Sequence, residues 1–249
     1  MKTAFFIFIA IFAFNTSFGI KPDRVYSGNP KTYGFEFKEL KAKTIDNFLI
    51  NLWDIVPKSE NKNKVTIILC GSDSGNMSYL LRESLTLANY GYNVITFDYR
   101  GFGQSQDFKI DTTLMFHNEF LMDFEAIVEY ARKQYPGNKI GTLGFSMGGY
   151  FPLITKNKLD FMMADSPLIS PLVVLQRLNK KNLKLPKDFI EPIISQIAQL
   201  YFIGSKDKII HFDDVPSNFA VLFKGNHLES EIIMGNNVYI FMDSFLSNL

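Results

Sequence analysis

Six short apolar runs recur along the chain: Val65 to Leu69, Val94 to Phe97, Ile140 to Leu143, Phe161 to Ala164, Leu200 to Ile203 and Phe219 to Phe223. A continuous apolar run of this length, without polar alternation, marks a strand covered on both faces. Segments with helical spacing lie between them. Met77 to Ala88 carries Tyr79, Leu80, Leu81, Leu85 and Ala88, and stops before Gly91. Phe116 to Tyr135 lines up Phe120, Phe124, Ile127 and Ala131, and Pro136-Gly137 ends it. Met147 to Ile154 reads as a further helix. Residues 231–247 read as a closing helix with Ile232, Tyr239, Met242 and either Phe241 or Phe245 turned inward. Buried strands alternating with helices predict an α/β domain: a mostly parallel central sheet with helices on both faces. Ahead of it, residues 34–43 alternate, Asp46-Asn47 signals a turn, and Phe48 to Trp53 resumes, which predicts an N-terminal antiparallel hairpin. Residues 168–196 interrupt the alternation as an insertion.

At 249 residues and 47% hydrophobic, the chain has material for one full-sized domain, here residues 20–249, and is too apolar for disorder. Lysine plus arginine number 26 against 25 acidic residues, so no overall field points to nucleic acid. No Cys/His spacing suits a metal, and Cys70, the sole cysteine, has no partner within the chain. The first residues read as an address. Lys2 precedes an uncharged run from Ala4 to Phe14, followed by small residues at Ser17 and Gly19. A run of eleven residues is short of the roughly 20 needed to span a bilayer, so residues 1–19 are expected to be a signal peptide cleaved after Gly19. The expected location is then periplasmic or extracellular. The alternative is a membrane anchor formed by the uncleaved segment.

Chemistry concentrates in Gly144-Phe145-Ser146-Met147-Gly148-Gly149, a G-x-S-x-G string between a strand and a helix. Such a turn lifts the serine oxygen above the sheet and beside a helix N-terminus, which suits a nucleophile. Acyl transfer needs two backbone N–H groups for the developing oxyanion. Met147, after the nucleophile, offers one. Ser72, in the loop Cys70-Gly71-Ser72 after the first buried strand, is the candidate for the other. Cys70 itself reads as a small buried apolar residue rather than a nucleophile. A serine needs a base, and the chain has three histidines. His227 follows the last buried strand and is the candidate; His211 is the runner-up, and His117 begins a helix. Asp207, in Gly204-Ser205-Lys206-Asp207, is the candidate partner of the imidazole, giving the chain order Ser, Asp, His. Asp165 is its rival, and Asp213 and Asp214 are weaker choices in a polar loop.

These residues resemble those of the α/β-hydrolase superfamily, in particular its small-lid serine hydrolases of the serine-aminopeptidase-like and esterase-like kind. The resemblance spans nearly all of residues 26–249. It rests on Thr44-Ile45-Asp46-Asn47, the Cys70-Gly71 loop, the run from Phe97 to Ser105, Gly144 to Gly149, Asp165-Ser166-Pro167, Asp207 and His227. It implies that the Asp98-Tyr99-Arg100 run braces the floor of the site without chemical duty. It also implies that the 168–196 insertion is a short helical lid. Three positions depart from the family pattern. Cys70 replaces a histidine, Asn47 replaces a glycine, and a short interval from Asp207 to His227 suggests a trimmed helix between them.

The expected activity is hydrolysis of an ester-type bond through an acyl-enzyme, on a small-molecule or lipid-like ester, with no metal and no organic cofactor. A serine peptidase or thioesterase of the same fold is the alternative, and a non-catalytic binding member is the alternative of another class. Within the lid, Arg177, Lys180, Lys181 and Lys184 share a helical face, with Leu172, Leu175 and Leu178 in the same segment. That face would give a weak contact with anionic lipid headgroups or meet an acidic substrate, although a plain solvated face is the preferred reading.

Overall fold

The computed structural model describes residues 19–59, 64–192 and 197–249. The predicted signal sequence, apart from Gly19, lies outside the described residues. The strands are β1 (Lys21–Pro22), β2 (Phe37–Lys43), β3 (Leu49–Ile55), β4 (Val65–Cys70), β5 (Ser74–Gly75), β6 (Asn93–Phe97), β7 (Lys139–Phe145), β8 (Phe161–Asp165), β9 (Ala198–Gly204) and β10 (Ala220–Phe223). The helices are α1 (Leu81–Asn89), α2 (Glu119–Gln134), α3 (Phe151–Ile154), α4 (Pro171–Leu178), α5 (Ser230–Met234) and α6 (Asn237–Ser247). Eight strands form one sheet in the order β10-β9-β8-β7-β4-β6-β3-β2. From β10 through β6 all neighbours are parallel, and the β2–β3 hairpin joins antiparallel at β6. Asn47 makes the hairpin turn at φ 72°, a conformation that asparagine tolerates better than most residues. The replacement of glycine there is therefore conservative.

The two-faced burial follows from the period of the strands. Val65, Ile67 and Leu69 pack into one core layer, while Ile68 and Cys70 pack into the other. Residues two apart share a face, so a run apolar at every position feeds both layers. On one side, α2 contributes Phe120, Phe124, Ile127 and Ala131. On the other, α1 supplies Leu81, Leu87 and Ala88, and α6 supplies Val238, Tyr239, Met242 and Leu246. Each such fully buried large side chain contributes roughly 1.5–3 kcal/mol.

Four predicted helices differ in the structure. Met77–Leu80 and Ser146–Gly149 are 3-10 turns leading into α1 and α3. The closing helix is two helices, because Gly235 takes φ 56° and resets the phase. Ile232 thereby stands 70% exposed instead of inward, and Phe241 is exposed as well. The helix predicted to carry four basic residues ends at Leu178, where Asn179 adopts left-handed backbone. Lys180, Lys181 and Lys184 lie beyond it, so no continuous basic helical face forms. Between β9 and β10 only two 3-10 turns occur, Phe212–Asp214 and Ser217–Phe219, which matches the trimmed connection expected from the sequence.

The Asp98-Tyr99-Arg100 run is a brace. Asp98 accepts hydrogen bonds from the Tyr26 hydroxyl and the Met77 and Gln104 amides. The Arg100 side chain is 1% exposed, and its guanidinium pairs with Asp46 at 2.6 Å and with the fully buried Asp123 at 2.7 Å. It also lies over the Phe48 ring at 4.1 Å. This ties the hairpin turn to α2. Removing one partner of a buried pair strands the other charge in a low dielectric. Arg100→Met is therefore expected to lower the free energy of unfolding by about 3–5 kcal/mol, read from urea denaturation.

Candidate active site

The parallel strands all point their C-terminal ends to one rim, and the turn after the central β7 occupies it. Ser146 sits there at φ 49°, a left-handed conformation that costs a non-glycine residue roughly 1–3 kcal/mol. Neighbouring contacts hold it. Its carbonyl accepts the Leu168 amide at 3.0 Å. Gly148 presses so closely on the loop after β4 that a Cβ would lie 2.1 Å from the Cys70 carbonyl oxygen. Only glycine fits, and the contact brings the Cys70-Gly71-Ser72 loop against the Ser146 turn.

Ser146 Oγ lies 3.0 Å from His227 Nε2, and His227 Nδ1 lies 2.8 Å from Asp207 Oδ2. An ionised carboxylate only accepts hydrogen bonds, so in the neutral imidazole the proton resides on Nδ1. Nε2 is then free to accept from the serine hydroxyl. Asp207 follows β9, and its side chain is fully buried. Burial alone would raise its carboxyl. The hydrogen bond and charge of His227, with the Ile209 and Ile210 amides on Oδ1 at 2.8 and 3.0 Å, outweigh that and hold it below the usual carboxylate range. The loop bearing His227 is tied to the Asp207 loop by Ser205 N–H to Phe223 O and Lys206 N–H to Gly225 O, both 2.8 Å.

Asp165, the rival acid, is buried at the end of β8 and has other partners. It accepts from the Ser230 hydroxyl and from Ser166 Oγ at 3.0 Å, and burial pushes its carboxyl up to about 6. Ser166 Oγ in turn accepts the Leu228 amide at 3.3 Å. Asp165 thus fastens the chain that follows His227, through Ser230 and Ser166, while Asp207 contacts the ring itself.

Among the remaining candidates, His117 accepts the Asp111 amide through Nε2 at 3.0 Å and is buried beside Phe108 and Phe120. His211 is exposed and caps the 3-10 turn with Asp214. Asp214 pairs with Arg177 at 2.7 Å, and Asp213 is exposed. Cys70 is fully buried, and burial pushes its thiol up, away from nucleophilic use.

A cavity of about 530 Å³ opens at Ser146 and His227, with Ser72 and Met147 on its wall. Its greater part is apolar: Met115, Leu168, Val174, Leu178, Leu183 and Ile209. Val174 and Leu178 come from α4, so the 168–196 insertion supplies part of one wall. Two lining residues, Gly19 and Lys21, come from a segment that the sequence does not place at the site. They arrive because β1 pairs with β5, a two-residue parallel ladder between segments more than fifty positions apart. No local pattern announces such a contact.

A protein-family comparison decides the affiliation of this site. The family model described as serine aminopeptidase, S33, matches residues 69–214, more than half of the chain. This chain belongs to that family. It is a serine hydrolase of the α/β-hydrolase superfamily. The matched stretch contains Ser146 and Asp207 and stops short of His227. An uncharacterized membrane protein of Saccharomyces cerevisiae is 26% identical over 233 residues, covering 84% of this chain and 80% of that protein. The esterase Pf2001 of Pyrococcus furiosus shares the fold with a TM-score of 0.73 at 23% identity, covering 92% of this chain and 98% of that one. An α/β serine hydrolase without a lid, from Xanthomonas campestris, gives 0.56 at 17% identity, covering 82% and 95%.

The two carboxylates separate by experiment. Asp207→Asn is expected to lower kcat on a short nitrophenyl ester by about 10⁴-fold, since the amide no longer fixes the Nδ1–H tautomer. Asp165→Asn is expected to stay within about tenfold, because it leaves the imidazole partner intact. Their pH signatures also differ in sign. A depressed Asp207 adds stability that is lost as pH falls through its folded value. A raised Asp165 removes stability as pH climbs from the ordinary 3.8 through about 6. Asp165→Asn should therefore flatten the fall in unfolding free energy over that interval.

Proposed function

We propose that this hydrolase cleaves a carboxylic ester through an acyl-enzyme, with Ser146 as nucleophile, His227 as base and Asp207 as the group that orients it. The observation carrying this reading is the hydrogen-bonded chain Ser146–His227–Asp207 at the mouth of an apolar cavity. Ser146 Oγ attacks the carbonyl carbon while its proton passes to His227 Nε2. Asp207 stabilises the imidazolium that results. The Ser72 and Met147 N–H groups are assigned to the oxyanion; both residues lie on the cavity wall. When the intermediate collapses, His227 gives the proton to the departing alcohol. Water then attacks the acyl-serine by the same route and releases the acid.

The apolar wall favours an acyl group over a charged one. Three of the mouth's charged residues are lysines, Lys21, Lys206 and Lys208, which suits the ammonium end of an aminopeptidase substrate poorly. Peptide and thioester hydrolysis are the competing reactions on the same machinery. Export directed by the N-terminal apolar run belongs to the same proposal, since Lys2 followed by Ala4 to Phe14 has the order of an export signal.

A fluorophosphonate probe is expected to label Ser146, with labelling lost in His227→Ala. Folded protein that takes no label would instead be a binding member of the fold. On nitrophenyl esters of increasing chain length, kcat/KM should rise as methylenes enter the cavity, by up to about fourfold for each one fully buried. Turnover confined to an amino-acid anilide would shift the assignment to a peptidase.

A further inference from the structure

We propose that residues 1–18 stay joined to the folded body and seat it on a lipid bilayer with the catalytic cavity facing the membrane, so that its substrate is an ester whose acyl chain resides in that bilayer. The proposal rests on the hydrolase reading above, and its first support is where the chain enters the fold. Gly19 and Lys21 line the same cavity as Ser146 and His227. Ile20, between them, is 0% exposed within the core layer that holds Met115 and Leu168. The Lys21 amide donates to Asp73 O at 2.8 Å, and Asp23 N–H donates to Gly75 O at 2.8 Å. The start of the described chain is thus built into the wall beside the Ser72 loop.

This entry conflicts with a cut after Gly19. Such a cut would place a new α-ammonium on a residue with no solvent exposure, where an unpaired charge is strongly disfavoured. The smallness of residue 19 also has a reason within the fold. Gly19 is buried at φ 136°, and a Cβ there would lie 2.6 Å from the Thr112 carbonyl oxygen. What looks like a cleavage-site residue in the sequence is a close backbone approach in the structure.

The apolar run ends at Phe14, leaving only Asn15 to Phe18 before Gly19. Four extended residues reach at most about 14 Å, so the run is leashed to the cavity mouth. The cavity does not hold the run as a whole: about 530 Å³ suits a drug-sized ligand or an acyl chain, whereas the run has eleven residues that include Phe5, Phe6, Phe8, Phe12 and Phe14. A bilayer interface takes such a run readily.

The face around the mouth fits the same surface. The lid helix α4 walls the cavity with Val174 and Leu178 while exposing Leu172 and Val173 at 44% and 40%. Lys21, Lys206 and Lys208 are exposed on the rim, where lipid phosphates would meet them. The rim carboxylates are engaged with their own loops: Asp73 accepts from Ser72 Oγ at 2.9 Å, and Glu229 accepts from the Asn226 amide at 2.7 Å.

The test uses the full chain and the variant Phe8→Glu with Phe12→Glu, which leaves every described residue unchanged. Both are mixed with phosphatidylcholine–phosphatidylglycerol vesicles carrying nitrophenyl palmitate, and both are assayed on soluble nitrophenyl butyrate. The expected result is that the full chain sediments with the vesicles and retains its apolar run by intact mass after export. The variant should lose sedimentation and palmitate turnover by about tenfold or more, with butyrate turnover and Ser146 labelling unchanged. A mature protein that has lost the run, or a variant with undiminished vesicle turnover, overturns the proposal. A variant that gains butyrate turnover overturns it in favour of a run that occludes the cavity. Absence of labelling and of butyrate turnover in both proteins would instead defeat the hydrolase reading, and sedimentation would still decide the docking.

Discussion

A parallel sheet buried on both faces has one chemically distinct edge, and this protein is organised around it. Strands β6, β4, β7, β8, β9 and β10 run in one direction, so the chain leaves every one of them on the same side. Loops leaving that side must converge, and ligands of open α/β sheets gather there. Ser146 leaves β7, Asp207 leaves β9 and His227 leaves β10, each within a few residues of the strand end. The hydrogen-bonded chain among them is possible because two layers of apolar side chains fix the strands beneath it.

The rim also shows how environment separates like groups. Asp207 and Asp165 are both buried carboxylates at the ends of sheet strands. Asp207 faces an imidazole and two backbone amides, which favour its charge. Asp165 faces hydroxyls of Ser230 and Ser166, which offset burial less well, and its carboxyl rises. One carboxylate is thereby kept ionised against the imidazole, while the other secures the backbone next to it. The left-handed conformations of Ser146, Ser166 and Leu228 meet at this rim, while those of Asn47, Lys64, Asn179 and Asp188 lie elsewhere.

The N-terminal segment joins this organisation. Its two-residue pairing with β5 places Lys21 beside Ser74, within the loop that also carries Ser72. The wall of the cavity is thus assembled from Gly19 and Lys21, the Ser72 loop, α4 and the His227 loop.

Much of this was legible in the residues alone. Strands such as VTIIL and helix faces such as Phe120, Phe124, Ile127 and Ala131 obey a period set by local geometry, so the sheet and its helices follow from pattern. The turn at Ser146 was equally readable, because the lack of room at Gly148 leaves a mark in residue type. Helix limits were less so: Asn179 and Gly235 end helices through one backbone rotation each, and periodicity does not register it. Chain order already favoured Asp207 over Asp165, and the structure places Asp207 on the imidazole; the union of Gly19 and Lys21 with the cavity and the burial of Ile20 were decided only in three dimensions. A sequence records which side chains can occupy a strand, a turn or a helix face, since those preferences are local. Which two distant loops touch depends on the order and twist of the whole sheet, and no short stretch of residues contains that information.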